Sequence, residues 1–144
     1  MVDFFTKKEG DQIISAIRHA ELNTSAEIRV HLEEDCNQRT FLNAIDVFEK
    51  LGMHKTKLRN GVLLFIVPYR KEFSILGDLG INNKVGEGYW ADVCFHVQKR
   101  FRTGSFAQGI CEGIHQIGQK LKIHFPFEND DINELPDEIS YGKK

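Results

Sequence analysis

Two stretches of the chain carry opposite hydrophobic patterns, and between them they suggest an architecture. From Ala26 to Glu33 the residues alternate, with Ile28, Val30 and Leu32 on one face and Glu27, Arg29 and His31 on the other. Such alternation predicts a strand with one buried face, placed near a sheet edge. From Val62 to Val67 every residue is apolar, which predicts a central strand covered on both faces. Pro68-Tyr-Arg-Lys71 has the length of a hairpin loop, and Glu72-Phe-Ser-Ile-Leu76 follows as the partner strand. Gly77-Asp78-Leu79-Gly80-Ile81-Asn82 then breaks the pattern.

The remaining apolar residues repeat at helical spacing. Thr6-x-x-Glu9 is a capping box, and Ile13, Ile14, Ile17 and Leu22 form the stripe of the helix it opens. A second helix starts at about Thr40, with Phe41, Ala44, Ile45, Phe48 and Leu51 on one side and Gly52 as its C′ residue. Trp90, Val93, Cys94, Val97 and Phe101 mark a third helix that stops at Gly104. Ser105-x-x-Gln108 reads as another capping box, opening a fourth helix with Ile110, Ile114, Ile117 and Leu121 inward. Gly109 and Gly113 on that helix suggest close helix packing. The expected order is α-β-α-β-β-α-α, an α/β fold with helices on both sides of a small mixed sheet. Residues 1–127 make one domain in this reading, and 128–144 an acidic, partly mobile tail packed against it or extending from it.

Composition narrows the class without naming a function. The 144 residues are 41% hydrophobic and 28% charged, the balance of a single globular domain. Nineteen Lys and Arg against 21 Asp and Glu give a net charge of −2, so no overall field draws in nucleic acid. The uncharged run Val62–Val67 is far too short to span a bilayer. The opening residues put acid and apolar groups before the lysines, the reverse of a secretory signal, so a cytoplasmic location is expected. Cys36, Cys94 and Cys111 are widely spaced without a C-x-x-C, and reduced, structural thiols are expected.

Familiar catalytic motifs are absent: no P-loop, G-x-S-x-G or H-E-x-x-H occurs. Cys111 and His115 share a helix face, but two ligands do not make a zinc site, and a core Cys beside a half-buried His is the simpler reading. His96 lies near Lys99, Arg100 and Arg102, which reads as a solvated helix face. The six acids between Glu128 and Glu138 lack the glycine and terminal Glu spacing of an EF-hand.

One constellation follows from topology. If the first two strands are parallel and the hairpin then reverses, the end of the third strand lies beside the beginnings of the other two. That gathers Asp78 and Asn82 with Ser25, Glu27, Arg59 and Asn60 on one rim. Carboxylate and amide oxygens are hard ligands suited to calcium or magnesium, so Asp78, Asn82 and Glu27 are candidate metal ligands. Arg59 and Asn60 are candidate contacts for a phosphate-bearing small molecule. The simpler alternatives are that Asp78 caps a turn and that Glu27 pairs with a neighbouring base.

Ser25-Ala-Glu-Ile-Arg-Val, Val47-Phe48 with Leu51-Gly52, Asn60-Gly-Val-Leu-Leu and Gly77-Asp-Leu-Gly-Ile together resemble the TPM domain family. Phe106-Ala-Gln-Gly-Ile and Leu135-Pro-Asp-Glu-Ile-Ser-Tyr-Gly resemble its small bacterial branch. The resemblance implies a three-layer αβα sandwich. It also implies one of three roles: acid-phosphatase activity as in plant members, which at this rim would be metal-dependent phosphoester hydrolysis, binding of a divalent cation (Ca or Mg) as in bacterial ones, or a non-catalytic interaction or assembly module that docks a partner protein. Asn60 and Gly61 match the family's entry to the central strand, and Glu27 its early acid. Where many members carry G-x-G-L-E after the hairpin, Asp78 stands at the first glycine and Asn82 follows Ile81 in place of an acid. No residue is identifiable as a nucleophile or general base.

Overall fold

The computed structural model describes residues 4–34, 38–127 and 135–142. Helix α1 (Lys7–Glu21) leads to strand β1 (Glu27–Leu32), helix α2 (Thr40–Lys50) and strand β2 (Gly61–Val67). Strand β3 (Glu72–Gly77) returns through a short 3-10 turn at Pro68–Arg70, and a single helical turn α3 (Leu79–Asn82) follows. Helices α4 (Ala91–Arg102) and α5 (Phe106–Leu121) precede a two-residue strand β4 (Ser140–Tyr141). The sheet order is β3-β2-β1-β4; β1 is parallel to both β2 and β4, and β3 is antiparallel to β2.

The expected αβα sandwich is present. Ile28, Val30, Leu32, Val62, Leu64 and Ile66 face the larger core with Ile13 and Ile17 of α1, Val97 and Phe101 of α4, and Ile114 and Ile117 of α5. Leu63, Phe65 and Val67 face the smaller core with Ala44, Val47 and Phe48 of α2. Thr6 and Glu9 complete their capping box, each side chain bonded to the other's amide. Gly113 lets α4 and α5 touch, since a Cβ there would meet Val97 at 2.8 Å. No helix among the described residues is long and apolar enough to cross a membrane.

Several expectations are corrected. Strand β1 is internal and all six of its residues are buried. Ser140 and Tyr141 pair with His31 and Leu32 and so supply the missing edge neighbour, and the polar face of β1 is buried as well, with Glu27, Arg29 and His31 all under a tenth exposed. Leu135 and Ile139, placed by sequence in the tail, enter the smaller and larger cores respectively. Helix α2 turns Asn43, Ala44, Val47 and Phe48 inward and leaves Phe41 54% and Ile45 40% exposed, so the inward arc is rotated from the expected stripe. Leu22, just past α1, is also exposed. Ser105 caps no amide; Gln108 donates instead to Glu112. Glu112 also accepts from His96 (2.6 Å) and from Nε of Arg100 (2.8 Å), so His96 ties α4 to α5 and is only partly solvated. Cys94 and Cys111 are free and half-buried, whereas His115 is exposed. Cys36 and the acids Glu128, Asp130, Asp131 and Glu134 lie outside the described residues.

Candidate functional site

The rim at the start of β1 and β2 forms as the topology requires. Glu27 pairs with Gly61 across the parallel strands, and Val62 with Gly77 across the hairpin. The Asp78 amide then donates to the Gly61 carbonyl at 3.0 Å, and the Glu27 amide to the Asn60 carbonyl at 3.2 Å. Glu27, Asn60, Gly61 and Asp78 therefore share one end of the sheet.

Their side chains are already engaged. Asp78 is 5% exposed and accepts from Arg59 twice, Nε to Oδ2 at 2.7 Å and Nη2 to Oδ1 at 2.8 Å. Its Oδ1 also accepts the Leu79 amide, so Asp78 is the N-cap of α3. A planar guanidinium matched to both oxygens of a carboxylate is the strongest form of such a pair. Arg59 keeps 43% of its side chain exposed, and the hydrogen bond to Asp78 raises its pKa further. Holding it there requires an unusual backbone: Arg59 has a φ of 52°, left-handed for a residue other than glycine. Gly80 permits the close approach, donating to the Arg59 carbonyl at 2.8 Å where a Cβ would lie 2.2 Å from the Leu58 carbonyl.

Asn60 is buried and works as a tie. Its side-chain nitrogen donates to the Ser25 carbonyl at 3.2 Å and its amide to Oγ1 of Thr56. Asn82 donates to the Gly77 carbonyl at 3.0 Å, with its own oxygen turned toward Gly77. Both amides have thus spent a donor and retain an oxygen acceptor.

Sequence reasoning missed two acids on the same end. Glu21, the last residue of α1, accepts the Ile28 amide at 3.0 Å. Burial first, and the hydrogen bond with Asp137 next, push its pKa up to about 10, with the Glu27 charge adding to the effect. Asp137 also lies 3.6 Å from Nε of Arg18. The signal for Glu21 was present in the sequence, because an acid at a helix C-terminus opposes the helix dipole. Nothing in the pattern linked it to Asp137, 116 positions later.

The acceptors of the rim are carboxylate and amide oxygens, which suit a hard cation, and its central carboxylate is already neutralised by the Arg59 guanidinium. No group of three or more His, Cys, Asp or Glu side chains among the described residues is arranged to hold a metal ion.

The chain matches the TPM domain family over residues 1–120. This is a TPM-domain protein. Its fold is similar to that of the BA42 protein of the psychrophilic bacterium Bizionia argentinensis, with a TM-score of 0.92, 46% identity and 96% of each chain covered. An N-terminal domain from P. gingivalis shares the fold at a TM-score of 0.71 and 17% identity, over 87% of this chain and 82% of that one. The N-terminal domain of the cg2496 protein of Corynebacterium glutamicum does so at 0.65 and 9%, over 95% and 80%. No curated protein sequence matches the chain. For this TPM domain the motif residues thus have visible structural roles: Asn60 ties the strand entry, Gly61 admits the Met53 carbonyl, and Asp78 anchors the turn after the hairpin.

Proposed function

We propose that this TPM domain is a binding module for a divalent cation of the calcium or magnesium class, held at the sheet end by Asp78 with Asn82 and Glu27. The observation that carries the reading is the buried carboxylate of Asp78 held by an arginine that is itself half-exposed. A buried carboxylate needs a positive partner. Arg59 supplies one while remaining free to swing toward solvent, so a metal ion and Arg59 compete for the same two oxygens. Asn60 and Asn82 retain oxygens on the same rim, and Glu27 stands beside the Glu21–Asp137 pair, in which Glu21 keeps its proton. Once released, Arg59 stands next to the cation and suits the phosphate of a bound ligand.

When bound, the cation supplies charge neutralisation and polarises an oxygen brought to it. The residues of the rim act as ligands and ties. None of those described is presented as an activated nucleophile, so binding is the activity proposed, and phosphoester hydrolysis is the alternative that an assay decides.

The experiment is a calcium and magnesium titration of the wild-type chain and of Asp78→Asn, alongside hydrolysis of a generic phosphoester. Saturable amide shifts at residues 77–83 that vanish in Asp78→Asn support the module. Shifts that persist unaltered in the variant remove Asp78 from the site. Cation-dependent turnover above the variant's background makes the domain an enzyme.

A further inference from the structure

A cleft of about 360 Å3 opens beside the cation rim, and Asn82 belongs to both. The Asn82 side chain donates to the Gly77 carbonyl and its backbone amide to the Asp78 carbonyl, each at 3.0 Å. The same residue lines the cleft with Val85, Glu87, Trp90 and Cys94. Such a volume lies at the lower end for small-molecule sites. Trp90 is half-buried and packs against the larger core. Its ring meets that of Tyr89 edge to face, with centroids 4.7 Å apart. Tyr89 is itself anchored, since its hydroxyl donates to the Lys120 carbonyl at 2.8 Å and the Lys120 ammonium lies 4.7 Å from its ring centre. An indole held in this way is a ready platform on which a flat ring can stack.

Charge selects what stacks there. Glu87 is exposed, is the one charged side chain lining the cleft, and pairs with no other described residue. It repels a bare phosphate, and a purely apolar ring makes no use of it. A ring whose edge presents N–H donors does, as the amino and imino groups of a nucleobase show. The anionic end of the same ligand then falls on the rim, where Arg59 and the proposed cation suit a phosphate. Asp78 and Asn82 stand at either end of one helical turn, roughly 6 Å apart along its axis, a gap that a ribose bridges. We propose that this cleft receives the base of a nucleoside monophosphate, stacked on Trp90 with its N–H edge on Glu87 and its phosphate on the rim. The phosphate half rests on the cation-rim reading, and the base half on the cleft alone.

Trp90 is the single Trp of the chain, so the fluorescence of the intact protein reports on this cleft directly. With magnesium present, guanosine monophosphate, guanosine, phenyl phosphate and inorganic phosphate are titrated separately, and the amide signals of residues 77–94 are followed in a labelled sample. Guanosine monophosphate should quench Trp90 saturably and shift the amides of residues 82–94; guanosine should do so more weakly, and inorganic phosphate should not quench. Glu87→Gln should lower the affinity for guanosine and for its monophosphate about tenfold. Asp78→Asn should lower only the affinity for the monophosphate. No saturable quenching, phenyl phosphate binding as tightly as guanosine monophosphate, or a response unchanged in Glu87→Gln overturns the proposal. Magnesium shifts at residues 77–83 without base-dependent quenching overturn it while leaving the cation reading intact. A monophosphate that binds no more tightly than guanosine, with or without magnesium, overturns the bridge to the rim and the cation reading with it.

Discussion

His31 is pressed between Phe65 and Ser140, and burial lowers its pKa from 6.5 to about 4, with the Arg29 charge adding to the shift. Between those values the unfolded chain binds a proton that the folded chain refuses. The stability is therefore intact above about 6.5 and is lost as the pH falls through about 4. Glu21 behaves in the opposite sense. Raised from 4.5 to about 10, it keeps a proton in the folded chain that the unfolded chain releases, so its contribution is full below 4.5 and is lost as the pH rises through about 10. Urea midpoints measured from pH 4 to 10 should fall at both ends. His31→Phe should flatten the acid limb and Glu21→Gln the alkaline one; a limb that keeps its slope in its own variant contradicts the assignment. Arg59→Gln tests the competition at Asp78. It should lower the melting temperature without cation and tighten calcium binding, because it removes the resident partner of a buried carboxylate; weaker calcium binding would show that Arg59 assists the site.

At the scale of elements, most of the fold was readable from local pattern. The unbroken apolar run of β2, the hairpin and the stripes of α4 and α5 each repeat at the spacing of their own structure, and no distant contact overrides them. The polar face of β1 departs from the expectation because His31 meets Ser140 and Arg29 lies near Glu138, each more than a hundred positions away, contacts that alternation cannot express. Helix α2 was misjudged because Phe41 and Ile45 fit an apolar stripe yet lie outside the arc that faces the sheet. The rim itself was readable through topology alone, whereas the Arg59–Asp78 pair depends on a left-handed backbone that no motif announces. Gly80 is the element-level test of that rim. A methyl group there collides with the Leu58 and Arg59 carbonyls, so Gly80→Ala should cost about 1–3 kcal/mol in a denaturation curve and release α3 from the turn. A change within error would show that the approach is not required.

Across the whole molecule, the C-terminal residues act as part of the domain. Leu135 enters the smaller core, Ile139 the larger, and β4 closes the sheet beside β1. Ending the chain after Phe127 should uncover Arg29 and His31 and reduce stability well beyond the loss from Ile139→Ala alone, itself about 2–4 kcal/mol. An equally stable truncated chain would make these residues an accessory. Glu27 of the cation rim opens β1, so this strand, held between β2 and β4, is part of the frame on which the proposed chemistry rests. The most direct measurement is a calcium titration read residue by residue in the amide spectrum, with the Arg59 Nε–Hε signal followed in parallel. The account predicts saturable shifts confined to residues 25–28, 59–61 and 77–83, together with release of Arg59 from Asp78. A spectrum unchanged at these positions through millimolar calcium, or an Arg59 signal that stays bound to Asp78 while calcium binds elsewhere, would contradict it.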